Sequence, residues 1–225
     1  MPSVDVYLER GPKRTFACAV EWPGWARVAK TDDEALERLA AYGSRYAAVV
    51  KGLRPVFRAP RNADDLAVVQ RVTGDAATDF GAPSITSKFD RCPLDAKELR
   101  PLARILERCW EAFDRVVEGA EGVELAKGPR GGGRDLAKIV GHVTGAEASY
   151  VRRIAGSPPT VDESDPDVAG AREAALAALD RAVHEGMPKA GPRGGKLWTP
   201  RYFIRRAAWH VLDHAWEIED RAESG

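Results

Sequence analysis

The apolar residues of this chain change period partway along it, and that change limits the fold more than any other feature. Near the N-terminus they alternate, as in Val4, Val6 and Leu8 and again in Phe16, Cys18 and Val20. Beyond residue 90 they recur at three- and four-residue intervals, as in Leu99, Leu102, Ala103, Leu106, Trp110, Phe113, Val116 and Val117. Alternation marks a strand with one buried face; a period near 3.6 marks an amphipathic helix. The pattern therefore predicts an α+β N-terminal module over residues 1–90, a small antiparallel sheet with a helix. An all-α up-and-down four-helix bundle follows over residues 91–225.

Turn and cap residues refine both halves. Arg10-Gly11-Pro12 separates the first two strands, and Ala26 to Ala29 reads as a third after the Trp22-Pro23-Gly24-Trp25 break. Thr31 with Glu34 three residues later has capping-box spacing, which starts a helix running to about Val50. Val56-Phe57-Arg58 looks like another short strand, and Asp64 to Val72 like a short helix or part of an irregular excursion through Phe80 and Ile85. In the second half, Pro101 predicts a distorted first turn. A second helix is expected from about Asp135 to Ile154, a third opened by Asp165-Pro166 and stopped at Gly186, and a fourth opened by Thr199-Pro200 and running to about Arg221. The runs 128–133 and 191–195 are glycine-rich linkers.

Composition narrows the class of partner. Lys+Arg and Asp+Glu balance at 34 each, so no global basicity points to nucleic acid, and DNA is not an expected partner. No apolar run reaches the length of a membrane span, and M-P-S-V-D-V-Y lacks a signal-peptide pattern. Cys18, Cys92 and Cys109 are odd in number with no C-x-x-C spacing, which suits reduced thiols in a cytoplasmic protein.

The chemistry concentrates in histidine. His210 and His214 form H-V-L-D-H, an i, i+4 pair on one helical face. His142, in G-H-V-T-G-A-E, shares the phase of the apolar anchor Ile139 and so turns toward the helical core. Three imidazoles are a near-complete ligand set for a divalent transition metal such as Zn, Ni, Cu or Fe, with a position left open. The pair is not H-E-x-x-H, so the metalloprotease glutamate is absent. An H-x-x-x-H pair alone is more often two partly buried or surface histidines, and the third, inward histidine is what points to a metal. Glu217, one turn after His214, can orient that imidazole or simply be solvated. Alternating helix directions would bring both glycine-rich linkers to one end, with Arg130, Arg134, Arg193 and Lys196. Lys138 and Arg206 each sit one turn before a histidine. Lys138, Arg193 and Arg206 would then frame an entrance for an anionic substrate, unless they are solvated loop charges. His184 reads as a helix-end residue, and Tyr150, Trp209 and Trp216 as packing residues.

The segments G-H-V-T-G-A-E-A-S-Y-V-R-R-I and A-A-W-H-V-L-D-H-A-W-E-I-E-D-R resemble the DinB-like metal-binding four-helix bundles, over roughly residues 95–222. The resemblance implies that His142, His210 and His214 bind a divalent metal. It also implies a link to low-molecular-weight thiols, since several relatives are S-transferases or isomerases that use mycothiol or bacillithiol. F-A-C-A-V-E-W-P-G-W-A-R-V-A-K-T-D-D-E-A-L-E-R-L resembles the HicB-like antitoxin fold over about residues 3–52. That likeness implies a protein-contact module and, through an exposed sheet edge, a homodimer.

The function expected on these grounds is metal- and thiol-dependent transfer or isomerisation: a small-molecule thiol, held as thiolate, attacks an electrophilic substrate. The alternative is a non-catalytic binding or regulatory protein with a structural metal. Metal-assisted hydrolysis ranks lower, because the sequence shows no evident general base.

Overall fold

In the computed structural model, residues 3–127, 133–155, 168–191 and 195–222 are described. The chain divides into two units, Met1–Cys92 and Pro93–Gly225.

The N-terminal alternation does form strands. β1 (Val4–Arg10), β2 (Thr15–Ala19) and β3 (Ala26–Ala29) pair antiparallel in sequence, with Tyr7 opposite Cys18 and Phe16 opposite Val28. The fourth strand, β4 (Leu66–Thr73), joins the free edge of β1 in parallel, giving the order β3-β2-β1-β4. The sheet is therefore mixed, not antiparallel, and the Asp64–Val72 stretch, expected as a short helix or an irregular excursion, is a strand from Leu66 on. Its start misleads: Asp64 and Asp65 belong to one 3-10 turn capped by the Asn62 side chain, which accepts from the Asp64 N–H at 3.1 Å. The run L-A-V-V-Q-R-V then fits either period, and the unpaired β1 edge decides for a strand.

Helix α1 (Asp32–Ala41) begins where the cap predicted, with Thr31 Oγ1 accepting from the Glu34 N–H at 3.2 Å. Such a cap is worth about 1 kcal/mol. The helix does not continue unbroken to Val50. It stops at Tyr42, and α2 (Gly43–Val49) restarts at a glycine whose absent Cβ would lie 2.8 Å from Pro60 Cδ. The W-P-G-W segment is the core of this unit. Trp25 stacks on Tyr46 at 5.8 Å, its indole donates to Leu39 O at 3.0 Å, and the Tyr46 hydroxyl donates to Pro23 O at 2.7 Å. Phe57 closes the cluster, 4.9 Å from both tryptophan rings. The expected strand at residues 56–58 is instead an irregular segment that Phe57 anchors.

β1 is buried on both faces. Val6 and Leu8 are covered on one; on the other, Glu9 is fully buried and accepts from Thr78 Oγ1 at 2.6 Å, Ser84 N at 2.9 Å and Ile85 N at 3.0 Å. Burial pushes this carboxyl's pKa up, and the three donors oppose that rise. Glu9 thus ties the stretch after β4, including α3 (Ala76–Phe80), onto the sheet.

The second unit holds four long helices. α4 (Ala96–Gly119) starts with a full capping box between Asp95 and Glu98 and continues as one helix through Pro101. It is followed by α5 (Leu136–Ala155), α6 (Val168–His184) and α7 (Pro200–Ala222). The proposed Asp165-Pro166 start of α6 lies outside the described residues. α4 packs on α7 and α6, and α5 packs on α6 and α7. The apolar stripes supply the contacts: Leu106 and Phe113 from α4, Ile139 and Val143 from α5, Ala171, Ala175 and Leu179 from α6. α7 is buried almost all round, as expected of a helix enclosed by its neighbours.

Helix directions follow from contacts at the ends. Arg201, at the start of α7, donates to Pro93 O at 3.0 Å and pairs with Glu98 at 2.8 Å, beside the start of α4. Arg221, near the end of α7, donates through Nε to Ala126 O at 2.8 Å, just past the end of α4. α4 and α7 therefore run parallel. α5 runs opposite to α7, because Trp198 N donates to Arg153 O at 2.8 Å while His142 meets His210 further along. Strict up-and-down alternation would make the first and last helices antiparallel, so that expectation is corrected. The apolar stripes specify which faces meet, not the order in which long connections route the helices. No described helix is long and apolar enough to cross a membrane.

Candidate metal centre

The opposed run of α5 and α7 brings the three predicted histidines together. His210 and His214 share one face of α7, and His142 enters from α5. Ring centroids are 5.1 Å apart for His142–His210, 5.0 Å for His142–His214 and 4.8 Å for His210–His214, a nearly equilateral triangle. One nitrogen from each lies within 4.8 Å of the other two. The Nε2 atoms of His142 and His210 are 3.2 Å apart. Two ligands on a tetrahedral zinc, each about 2.0–2.1 Å from the ion, would stand roughly 3.4 Å apart. The triangle therefore needs only small side-chain adjustment to surround one ion.

The protonation states suit ligation. Burial depresses the pKa of His210 well below the usual imidazole range, helped by His214, Arg206, His142 and Arg134. Burial also lowers His142, with His214 and Arg134 adding to the effect. Both rings stay neutral and keep a lone pair for a cation. Glu217 fixes the third ring: its Oε2 lies 2.8 Å from His214 Nδ1. With the Nδ1 proton on that bond, the His214 Nε2 lone pair faces the cluster. The His214 contact and then Arg221 lower the Glu217 pKa and hold it ionised. Arg221 Nη1 donates to Glu217 Oε1 at 3.0 Å, so His214, Glu217, Arg221 and Ala126 form one chain of bonds. His210 Nδ1 is buried and has no hydrogen-bond partner among the described residues. His142 is exposed and marks the side from which a further ligand could approach.

The cationic residues divide. Lys138 is 72% exposed and donates from Nζ to Asp135 Oδ2 at 2.8 Å, at the start of α5. Arg193 and Arg130 lie outside the described residues. The two linkers' described flanks also sit at opposite ends of the helices. Gly133 abuts Arg221, whereas Gly195 closes a turn onto Gly191 just ahead of Trp198 and Arg153. The described flanks of the two linkers therefore do not meet at one end. Arg206 does sit beside the cluster, with its guanidinium 4.7 Å from the centre of the Trp209 ring and 5.8 Å from that of Tyr150. His184 bonds within its own helix to Asp180 O at 3.0 Å.

Two neighbours of the cluster were not read from the sequence as part of it. Tyr150 lies two turns past His142, yet its ring reaches to 5.7 Å from that of His210 and packs on Trp198 at 4.9 Å. Helical side chains lean toward the N-terminus of their helix, which brings Tyr150 back over the site. Arg221 stands four residues after Glu217, a spacing that was visible as a charge pair.

A profile of the DinB superfamily matches residues 105–218, half of the chain, from within α4 through the third histidine and Glu217. No curated protein and no solved structure matches the chain. The match leaves out the N-terminal unit and spans the helices that converge on the histidine cluster, and by it the chain belongs to the DinB superfamily.

Proposed function

We propose that the second unit is a four-helix bundle that binds one divalent transition metal through His142, His210 and His214, and that it uses the ion with a low-molecular-weight thiol. The convergence of three imidazoles, one buried and one exposed, carries this reading. The bound ion, Zn, Ni or Fe, would supply the charge that keeps a coordinated thiol deprotonated near neutral pH. The protein's own groups do the rest. Glu217 holds His214 in the ligating tautomer, Arg206 supplies positive charge beside His210, and Tyr150 walls the cluster. That setting suits a thiol such as mycothiol or bacillithiol and an electrophilic acceptor with an acidic group, in an S-transferase or isomerase.

A second reading is a non-catalytic protein in which the metal is structural and the N-terminal unit, HicB-like by resemblance, recruits a partner. The separate compact sheet unit favours it. β3 and β4 are the sheet's outer strands, and pairing there would give a homodimer. In either reading the protein acts in the reducing cytoplasm, consistent with three cysteines that form no disulfide.

Metal analysis of the purified protein tests the shared core. We expect close to one equivalent in the wild type and loss in His210→Ala. Unchanged metal content in that variant would remove the site. A screen of thiols with electrophilic acceptors then separates transferase from binder.

A further inference from the structure

Arg221, near the end of α7, stands where three stretches of chain meet, and it is 9% exposed. Ala126, just past the end of α4, grips it twice. The Ala126 N–H donates to Arg221 O at 3.0 Å, and Arg221 Nε donates to Ala126 O at 2.8 Å. Arg221 Nη1 reaches back one turn to Glu217 Oε1 at 3.0 Å, and the other oxygen of that carboxylate lies 2.8 Å from His214 Nδ1. The third contact is with Gly133, which leads into α5, the helix of His142. A Cβ on Gly133 would lie 2.6 Å from Arg221 Nη2, 3.0 Å from Cζ and 3.4 Å from Nη1. The guanidinium therefore lies against bare backbone, closer than any side chain at position 133 would allow.

All three of those near atoms belong to one guanidinium, and an Arg side chain can swing. A methyl at position 133 need not push the helices apart. What it would take away is the position of the charge. Relieving the contact needs a shift of roughly 1 Å, which carries bonds of 2.8 and 3.0 Å past the limit of about 3.5 Å for a hydrogen bond. Glu217 would keep its own charge but lose its anchor, and its side chain, 37% exposed, can turn to water. The His214 ring would then lose the acceptor that selects its Nδ1-protonated form.

We propose that Gly133 is a positioning residue for the histidine cluster. Its missing side chain lets Arg221 close on Ala126 and Glu217 at once, so the segment entering α5 sets the ring of His214 on α7. This builds on the metal-binding reading above, yet the protonation of the ring is set in the metal-free protein too.

A double-mutant cycle on the full chain tests it. In the metal-free wild type, long-range proton–nitrogen correlation spectra should show His214 protonated at Nδ1. Gly133→Ala should shift that ring toward the Nε2-protonated form. Zn affinity, from competition with a chromophoric chelator, should fall about tenfold in Gly133→Ala, the lower end for a lost partner of a ligand. Arg221→Lys keeps a cation for Glu217 and removes the Nη2 that the methyl meets. In the Arg221→Lys background, Gly133→Ala should therefore add nothing to either readout. The same change in both backgrounds would assign the effect to the backbone at position 133 and overturn the proposal. A wild-type His214 spectrum in Gly133→Ala would overturn it as well. A wild type that takes up no Zn would remove the metal site, and the spectra would still decide the role of Gly133.

Discussion

Glu217 and Arg221 sit one turn apart on α7, and their 3.0 Å ion pair links the His214 imidazole to the backbone beyond α4. The carboxylate that orients the histidine is thereby anchored, through Arg221, to backbone outside α7.

The first prediction follows from that chain. Glu217→Gln preserves size but removes the charge that favours the Nδ1-protonated ring. Metal affinity should fall about 10–100-fold, the usual effect of losing such a partner, while the fold is kept. Competition with a chromophoric chelator measures it. An affinity within twofold of wild type would show that Glu217 does not position His214.

Metal removal should act on one unit only. Binding to the folded form stabilises it by mass action, about 4 kcal/mol at a thousandfold excess over Kd. Chelation should therefore lower the melting temperature of the helical unit and leave the sheet unit's transition in place. In His210→Ala, the melting curve should no longer respond to added metal.

Glu147 makes the second unit pH-sensitive. Desolvation by burial is the main cause that pushes its carboxyl up to about 7 from 4.5, against the pull of Arg172. A group with a raised folded-state pKa keeps its full stability below the unfolded value and loses it as pH rises through the folded one. The loss therefore sets in above about pH 4.5 and is complete somewhat above pH 7, reaching about 3 kcal/mol. Glu147→Gln should flatten this part of the profile. Denaturant titrations at several pH values, compared between wild type and variant, show whether the slope belongs to this residue.

In the sheet unit, Gly43→Ala tests a close approach. The new methyl would lie 2.8 Å from Pro60 Cδ, a ring atom with little room to move. Overpacking of this kind costs about 1–3 kcal/mol. The readout is the denaturation midpoint of the first transition. A neutral outcome would mean that the 59–60 segment shifts freely away from α2.

The histidine triangle was legible because periodicity reports which face of a helix is buried. H-V-L-D-H has a one-turn spacing and His142 lies one turn after the buried Ile139, so the three rings could meet, but the phase overstated burial: His142 is exposed at the edge of the helices rather than inside them. β4 was not legible, because L-A-V-V-Q-R-V satisfies either period and only the free edge of β1 resolves it. The parallel run of α4 and α7 was hidden for a different reason: it depends on Arg201 and Arg221 meeting groups about a hundred residues earlier in the chain. Glu147 gave no signal at all. It sits on the buried stripe among apolar residues, and its importance depends on Arg172 and Trp110 arriving from other helices.

α7 carries two of the three imidazoles and is enclosed on nearly every side. Drift in that helix is therefore constrained twice over, by ligation geometry and by packing, so few changes can retune the site without disturbing the interior. α5 contributes a single histidine, and that one is exposed. Substitutions at the exposed neighbours of His142 should therefore alter the site's surroundings with less cost to packing than substitutions within α7.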